Sequence, residues 1–239
     1  LGLIPIGAHA DSGRARHGTR RRRTLPLVSL ASPEDPSAEA YRAFRTNVTF
    51  VKAEERALQL LCVTSPGPGE GKSTTAANLA ITLAQQGSHV LLVDADLRRP
   101  VLHRAFNFVQ EPGLTDVLLG SATLREAARP NVVTNLDVLP SGALPPNPSE
   151  LLGSAAMHRL LGQLRAEYDI VVFDSPPALA VTDSTVLGAS TDGAIIVVRS
   201  GATEVAAAQQ TLAQLHRVHA RVSGVVLNCI EKRGDRYYL

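Results

Sequence analysis

The decamer Ser65-Pro66-Gly67-Pro68-Gly69-Glu70-Gly71-Lys72-Ser73-Thr74 lies between an apolar run, Leu58–Thr64, and an Ala-rich helical pattern, Lys72–Gln86. A glycine-rich turn that leaves a strand and opens a helix points successive backbone N–H groups at one spot, and the helix adds its positive dipole end there. Gly71-Lys72-Ser73 has the spacing of a phosphate loop, in which the Lys reaches β- and γ-phosphates and the hydroxyl meets Mg²⁺. Gly69, Glu70 and Thr74 complete the cradle, with Thr74 set for the α-phosphate. The generic pattern carries Gly five positions before Gly71, and here that position is Pro66. The Lys is informative in itself. Of 24 basic residues only Lys52, Lys72 and Lys232 are Lys, so Lys72 persists where the chain otherwise uses Arg.

The same alternation continues along the chain. Apolar β-type runs fall at Leu58–Thr64, His89–Asp94, Leu136–Leu139, Asp169–Asp174, Gly193–Arg199 and Val222–Asn228. Helical patterns lie between them at Lys72–Gln86, Thr115–Leu119, Ser149–Glu167, Asp183–Ala189 and Glu204–His219, and Gly87 stops the first of these. An earlier helix is expected from Ala38 to about Val51, N-capped by Ser37. The strands are continuous apolar runs, as strands covered on both faces require. The expected fold is therefore α/β, with a doubly wound, mostly parallel sheet of the P-loop NTPase kind, whose ligands bind beyond the carboxyl ends of the strands.

Composition excludes several other classes. Six Arg and one Asp fall in the first 30 residues, while the net charge of the whole chain is only +2. The positive charge is thus local, which argues against a nucleic-acid-binding surface. Two Cys in 239 residues exclude a disulfide framework, and Cys62 and Cys229 both sit in strand-like runs, as expected for a reducing compartment. No stretch reaches the ~18 apolar residues of a membrane span. The only Met is Met157, so the chain is expected to be a piece of a longer protein.

Two further strand ends carry carboxylates. Leu91-Leu92-Val93-Asp94-Ala95-Asp96 and Ile170-Val171-Val172-Phe173-Asp174 each end an apolar run in Asp. That is how such a sheet presents acids to a metal beside phosphates. Asp174 fits the role of a Walker B metal ligand. Asp94 and Asp96, two residues apart, point to one side of an extended backbone and suit one base and one metal-associated group. The competing reading for either Asp is a cap on the next helix.

Taken together, the loop Ser65–Thr74, the motif Val93-Asp94-Ala95-Asp96-Leu97-Arg98-Arg99-Pro100 and Asp174-Ser175-Pro176-Pro177 resemble the bacterial tyrosine kinases of capsular and exopolysaccharide synthesis. The resemblance extends to Leu139-Pro140-Ser141-Gly142, to Pro145–Leu152 and to Glu39-Ala40-Tyr41-Arg42-Ala43-Phe44-Arg45, and covers about residues 31–230. It implies ATP and Mg²⁺ as cofactors, with a deviant Walker loop. Lys72, Asp94 and Asp96 would be catalytic, Asp94 acting as base toward a tyrosine hydroxyl. Ser73, Asp96 and Asp174 would hold the metal. Asn228 would reach the adenine, or be a satisfied strand-end Asn. Arg98 and Arg99 would contact phosphate or a neighbouring subunit, or simply be a solvated pair.

The resemblance also implies a homo-oligomeric ring whose interface helix carries Glu39, Arg42 and Arg45, and phosphoacceptor tyrosines Tyr237 and Tyr238 in a tail over residues 231–239. The kinase domain itself would span residues 37–230. Residues 1–36 read as a poorly ordered juxtamembrane arm containing the run Arg20–Arg23, either near a membrane or a solvated linker. The resemblance places the protein at the cytoplasmic face of the bacterial inner membrane. Its implied partner is a membrane-embedded chain-length regulator or activator segment, in cis or in trans, and no nucleic acid. The competing class is a partition- or positioning-type ATPase switch. Those carry a second signature Lys in the loop, where this chain has Gly67.

Overall fold

A computed structural model describes residues 1–5, 25–53 and 56–231. In chain order the strands are β1 (Gly2–Pro5), β2 (Lys52–Ala53), β3 (Arg56–Ala57), β4 (Leu60–Thr64), β5 (Val90–Asp94), β6 (Arg129–Val133), β7 (Leu136–Leu139), β8 (Ile170–Asp174), β9 (Gly193–Arg199) and β10 (Val222–Ile230). The helices are α1 (Val28–Ala31), α2 (Pro36–Phe50), α3 (Lys72–Gln85), α4 (Leu102–Ala105), α5 (Leu114–Leu119), α6 (Leu124–Ala127), α7 (Pro148–Leu152), α8 (Ala155–Glu167), α9 (Asp183–Ala189) and α10 (Val205–Arg217). Eight strands form one sheet in the order β1-β10-β9-β4-β8-β5-β7-β6, while β2 and β3 make a separate short hairpin. All pairings in the large sheet are parallel except β6 with β7.

The apolar runs explain this arrangement. In β4, β5 and β7 every residue is buried, because helices cover both faces. One face packs Leu61, Val63, Leu92 and Ile195 against α2 and α3, with Phe44, Leu79 and Leu83 among the contacts. The other packs Leu60, Cys62, Leu91 and Phe173 against α5 and α8 through Leu118, Leu160 and Leu164. Phe44 is fully buried. Phe44→Ala should lower unfolding free energy by about 3–5 kcal/mol, read as an earlier urea midpoint. An unchanged midpoint would place Phe44 outside the core.

Four expectations need correction. The N-cap of α2 is Asp35, whose carboxylate accepts the Ser37 N–H at 2.7 Å. Pro36 at the first helical position has its φ preset and no N–H to satisfy, which moves the start ahead of Ser37. The pattern Ser149–Glu167 is two helices, broken at Gly153, with Ser154 capping α8 through the Met157 N–H at 3.2 Å. The edge strands β1 and β6 were not expected, since β1 is too short to show a pattern and β6 opens with polar and Pro residues.

The fourth concerns the arm. Among its described residues, Gly2–Pro5 forms β1, which pairs in parallel with β10, and Val28–Ala31 forms α1, which packs on the α2–α3 side. The cause is local. Ile4 is 2% exposed, and Gly2 has no side chain, so Phe44 closes against it where a Cβ would sit 3.1 Å away. The Arg20–Arg23 run and the tail tyrosines Tyr237 and Tyr238 lie outside the described residues. Among the described residues no helix is long and apolar enough to cross a membrane.

Candidate active site

The centre of the sheet brings the sequence motifs together. β8 lies between β4 and β5, with Asp174 in register with Val63 on one side and with Asp94 on the other. The loop leaving β4 and the two carboxylates therefore share one rim. Gly69 (φ +80°) and Gly71 (φ +97°) adopt left-handed backbone, which glycine does without steric cost. A Cβ on Gly71 would also lie 2.0 Å from Asn228 Nδ2. Pro66, the departure from the generic pattern, is buried and its carbonyl accepts the Leu179 N–H at 3.3 Å, so the segment after β8 braces the start of the loop.

Lys72 opens α3 and turns into the acids. Its Nζ donates to Asp96 Oδ2 at 2.9 Å, Asp174 Oδ1 at 3.4 Å and Ser73 Oγ at 3.2 Å. Burial works against its charge, but Asp174 and Asp96 outweigh it and hold the ammonium above its ordinary range. Asp94 is fully buried. Its Oδ2 accepts the Val101 and Leu102 N–H groups at 3.0 and 2.9 Å, capping α4, so the capping reading is correct for that oxygen. Its Oδ1 has no partner, and burial together with the neighbouring Asp174 pushes the group up to about 7. Burial likewise raises Asp174, whose Oδ2 is also buried without a partner. Asp96 gives its other oxygen, Oδ1, to the Arg99 N–H at 3.0 Å.

Two orphaned carboxylate oxygens at adjoining strand ends are what a hard divalent cation or its waters would satisfy. The donor set of Ser73, Asp96 and Asp174 fits Mg²⁺ in kind. Among the described residues no three His, Cys or acidic side chains converge on one point, so nucleotide oxygens and water would complete the coordination. Thiol chemistry is excluded at Cys62, which donates to Ser175 Oγ at 3.5 Å and is pushed by burial up to about 12.

Other candidates take different places. The Asn228 side chain lies under the loop, donating to the Glu70 carbonyl at 2.9 Å while its Oδ1 accepts the Cys229 N–H at 2.9 Å. The Glu70 side chain folds back onto the Gly67 N–H at 3.0 Å. Thr74 sits in the first turn of α3, half-buried, with its carbonyl accepting from Asn78. Arg98 is held by the fully buried Asp183 through Nε at 2.8 Å and Nη2 at 3.1 Å, and Ser149 also donates to Asp183. Asp183 was missed because an acid in a helix's first turn reads as a capping residue. On α2, Arg42 pairs with Glu39 and donates to the Pro33 carbonyl at 2.6 Å, whereas Arg45 reaches the Thr82 carbonyl on α3 at 3.1 Å. The exposed Glu39–Arg42 pair contributes little to stability.

Several known proteins are similar to this chain over most of its length. A family model described as an AAA domain matches residues 59–226. The tyrosine-protein kinase YwqD of Bacillus subtilis (strain 168) is 43% identical over 215 residues, covering 90% of each chain. The putative tyrosine-protein kinase EpsB of Ralstonia nicotianae is 38% identical over 219 residues, which is 92% of this chain and 29% of that protein. The chain thus spans under a third of the length of that longer relative. Among solved structures, the kinase domain of Escherichia coli tyrosine kinase ETK is similar with a TM-score of 0.87 at 33% identity, over 100% of this chain and 92% of that one.

Proposed function

From the premise that this chain belongs to the bacterial tyrosine-protein kinases, we propose that it transfers the γ-phosphoryl group of ATP to tyrosine hydroxyls, Tyr237 and Tyr238 of a neighbouring copy among them. The observation that carries this reading is the cluster in which Lys72 meets Asp96 and Asp174 while Asp94 Oδ1, on the adjoining strand, is unclaimed. Lys72 exchanges its carboxylates for phosphate oxygens and neutralises their charge. The loop N–H groups and the start of α3 would hold the same phosphates, and Ser73, Asp96 and Asp174 would hold the metal. Mg²⁺ bound with the nucleotide adds charge neutralisation at the phosphate oxygens.

A tyrosine hydroxyl with a pKa of ~10 is protonated at neutral pH, so a base is needed as it attacks. Asp94 Oδ1 takes that proton. A carboxylate held near 7 accepts it far better than an ordinary one, because its affinity for a proton is raised. Asn228 supports the loop and reaches the adenine from the same rim.

The family resemblance supports the wider setting: a homo-oligomeric ring at the cytoplasmic face of the bacterial inner membrane, activated by a membrane-embedded chain-length regulator in cis or in trans, and governing polysaccharide polymerisation and export. If α2 forms the ring contact, Glu39→Ala/Arg42→Ala should be smaller by light scattering wherever the parent assembles, with an unchanged thermal midpoint. An assembly of parental size would remove α2 from the interface.

Transfer between copies is tested by mixing two complementary variants with radiolabelled ATP, one unable to transfer phosphate and one unable to accept it on its tail. One is Lys72→Met with an intact tail. The other is catalytically intact but carries Tyr237→Phe and Tyr238→Phe. Label on the Lys72→Met chain is expected. Label on neither chain, with ATP still consumed, would overturn the reading.

A further inference from the structure

The Glu70 side chain is a part of the phosphate loop that phosphoryl transfer leaves unused. It is 8% exposed, yet among the described residues no basic side chain pairs with it. Its hydrogen-bond partners are neutral donors. Oε2 accepts the Gly67 N–H at 3.0 Å, and Oε1 accepts the Thr203 hydroxyl at 2.6 Å. Thr203 Oγ1 in turn accepts the N–H of Arg199, the last residue of β9, at 2.8 Å. The backbone carbonyl of Glu70 meanwhile takes Asn228 Nδ2 of β10 at 2.9 Å. The loop residue is thus tied to two neighbouring strands, through its side chain to β9 and through its backbone to β10.

We infer that Glu70 and Thr203 are positioning residues that latch the phosphate loop into its anion-ready shape. This rests on the reading of Ser65–Thr74 as the nucleotide site and extends it to a residue in the β9–α10 connection. The physical need comes from the loop's composition. A segment with glycines at 67, 69 and 71 has many accessible conformations, and ordering it only when a nucleotide arrives would cost affinity. The Gly67–Glu70 bond closes the loop on itself, and Thr203 fixes the closed loop to the sheet. A carboxylate suits this because it has two acceptor oxygens and no donor, matching two donors from different directions. The latch also withdraws the Gly67 N–H from phosphate binding. The nucleotide is then held by the N–H groups that follow, at the start of α3.

The test compares Thr203→Val, which removes the hydroxyl and keeps the branched shape, with Thr203→Ser, which keeps the hydroxyl. MgADP affinity is measured by titration calorimetry, KM for ATP and kcat by turnover, and folding by thermal midpoint. Thr203→Val should bind MgADP about tenfold more weakly and raise KM by a similar factor with kcat near that of the parent. Thr203→Ser should stay within about twofold of the parent on each. Parental MgADP affinity in folded Thr203→Val would overturn the latch, and so would a Thr203→Ser variant as weak as Thr203→Val. If Thr203→Val does not fold, Glu70→Gln, which lacks one acceptor, should show the same tenfold weakening, and parental affinity there would overturn the latch equally. A folded parent that binds no MgADP would instead refute the nucleotide site itself, so the two failures are distinct.

Discussion

Lys72→Met is expected to lower tyrosine phosphorylation by about 10³-fold or more, because one preorganised cation facing the transferring phosphoryl group is worth that much in a water-poor site. The structure adds a second consequence. Lys72 is the cation that Asp96 and Asp174 share, at 2.9 and 3.4 Å. Removing one member of a buried ion pair leaves the others uncompensated. The variant should therefore also unfold at a lower temperature than the parent at pH 8, and recover part of that loss at pH 5 as carboxylates protonate. Phosphotyrosine by immunoblot and the thermal midpoint at both pH values check the two effects. Full labelling by Lys72→Met would show that the loop is not the phosphate site.

The second large effect belongs to Asp94. With its proton acceptor gone, Asp94→Asn should lose about 10²–10⁴ in turnover while still binding MgADP. Its stability should move the other way. Burial and Asp174 raise Asp94 to about 7, against an ordinary carboxylate near 4 in the unfolded chain. The folded protein therefore binds this proton more tightly. The stability it contributes is full below about pH 4 and is lost as pH rises through about 7. Asn is neutral throughout and can still accept from Val101 and Leu102. In metal-free buffer Asp94→Asn should melt a few degrees above the parent at pH 8, with the gap closing toward pH 5. A variant less stable than the parent at pH 8 would contradict the strained-carboxylate account. So would one that retains turnover.

These two residues were legible in the sequence because each ends or follows a continuous apolar run, and a covered parallel strand can only deliver its chemistry at its carboxyl end. The same reasoning located Asp174 and the loop. What escaped was whatever depends on partners distant in the chain. Asp183 reads as a helix-start acid until Arg98, 85 residues away, is seen to be held by it. Thr203 is a plain loop residue until Glu70 folds back to meet it. Asn228 is aimed at the loop from below, which its place at the end of the apolar run Val222–Asn228 does not reveal. The strand β1 escaped for a different reason. Four residues of an apolar tetrapeptide carry no periodicity, and only the open edge of β10 and the hollow beside Phe44 make them a strand.

A kinase moves phosphate to tyrosine, whereas a switch ATPase only releases it. The most direct test incubates the purified chain with MgATP and maps modified residues by mass spectrometry, with released phosphate measured in parallel. Phosphotyrosine at Tyr237 and Tyr238 that is absent from Lys72→Met and Asp94→Asn is the result expected here. Sustained phosphate release without any phosphotyrosine, from a chain carrying its full complement of tail tyrosines, would contradict it and favour the switch ATPase.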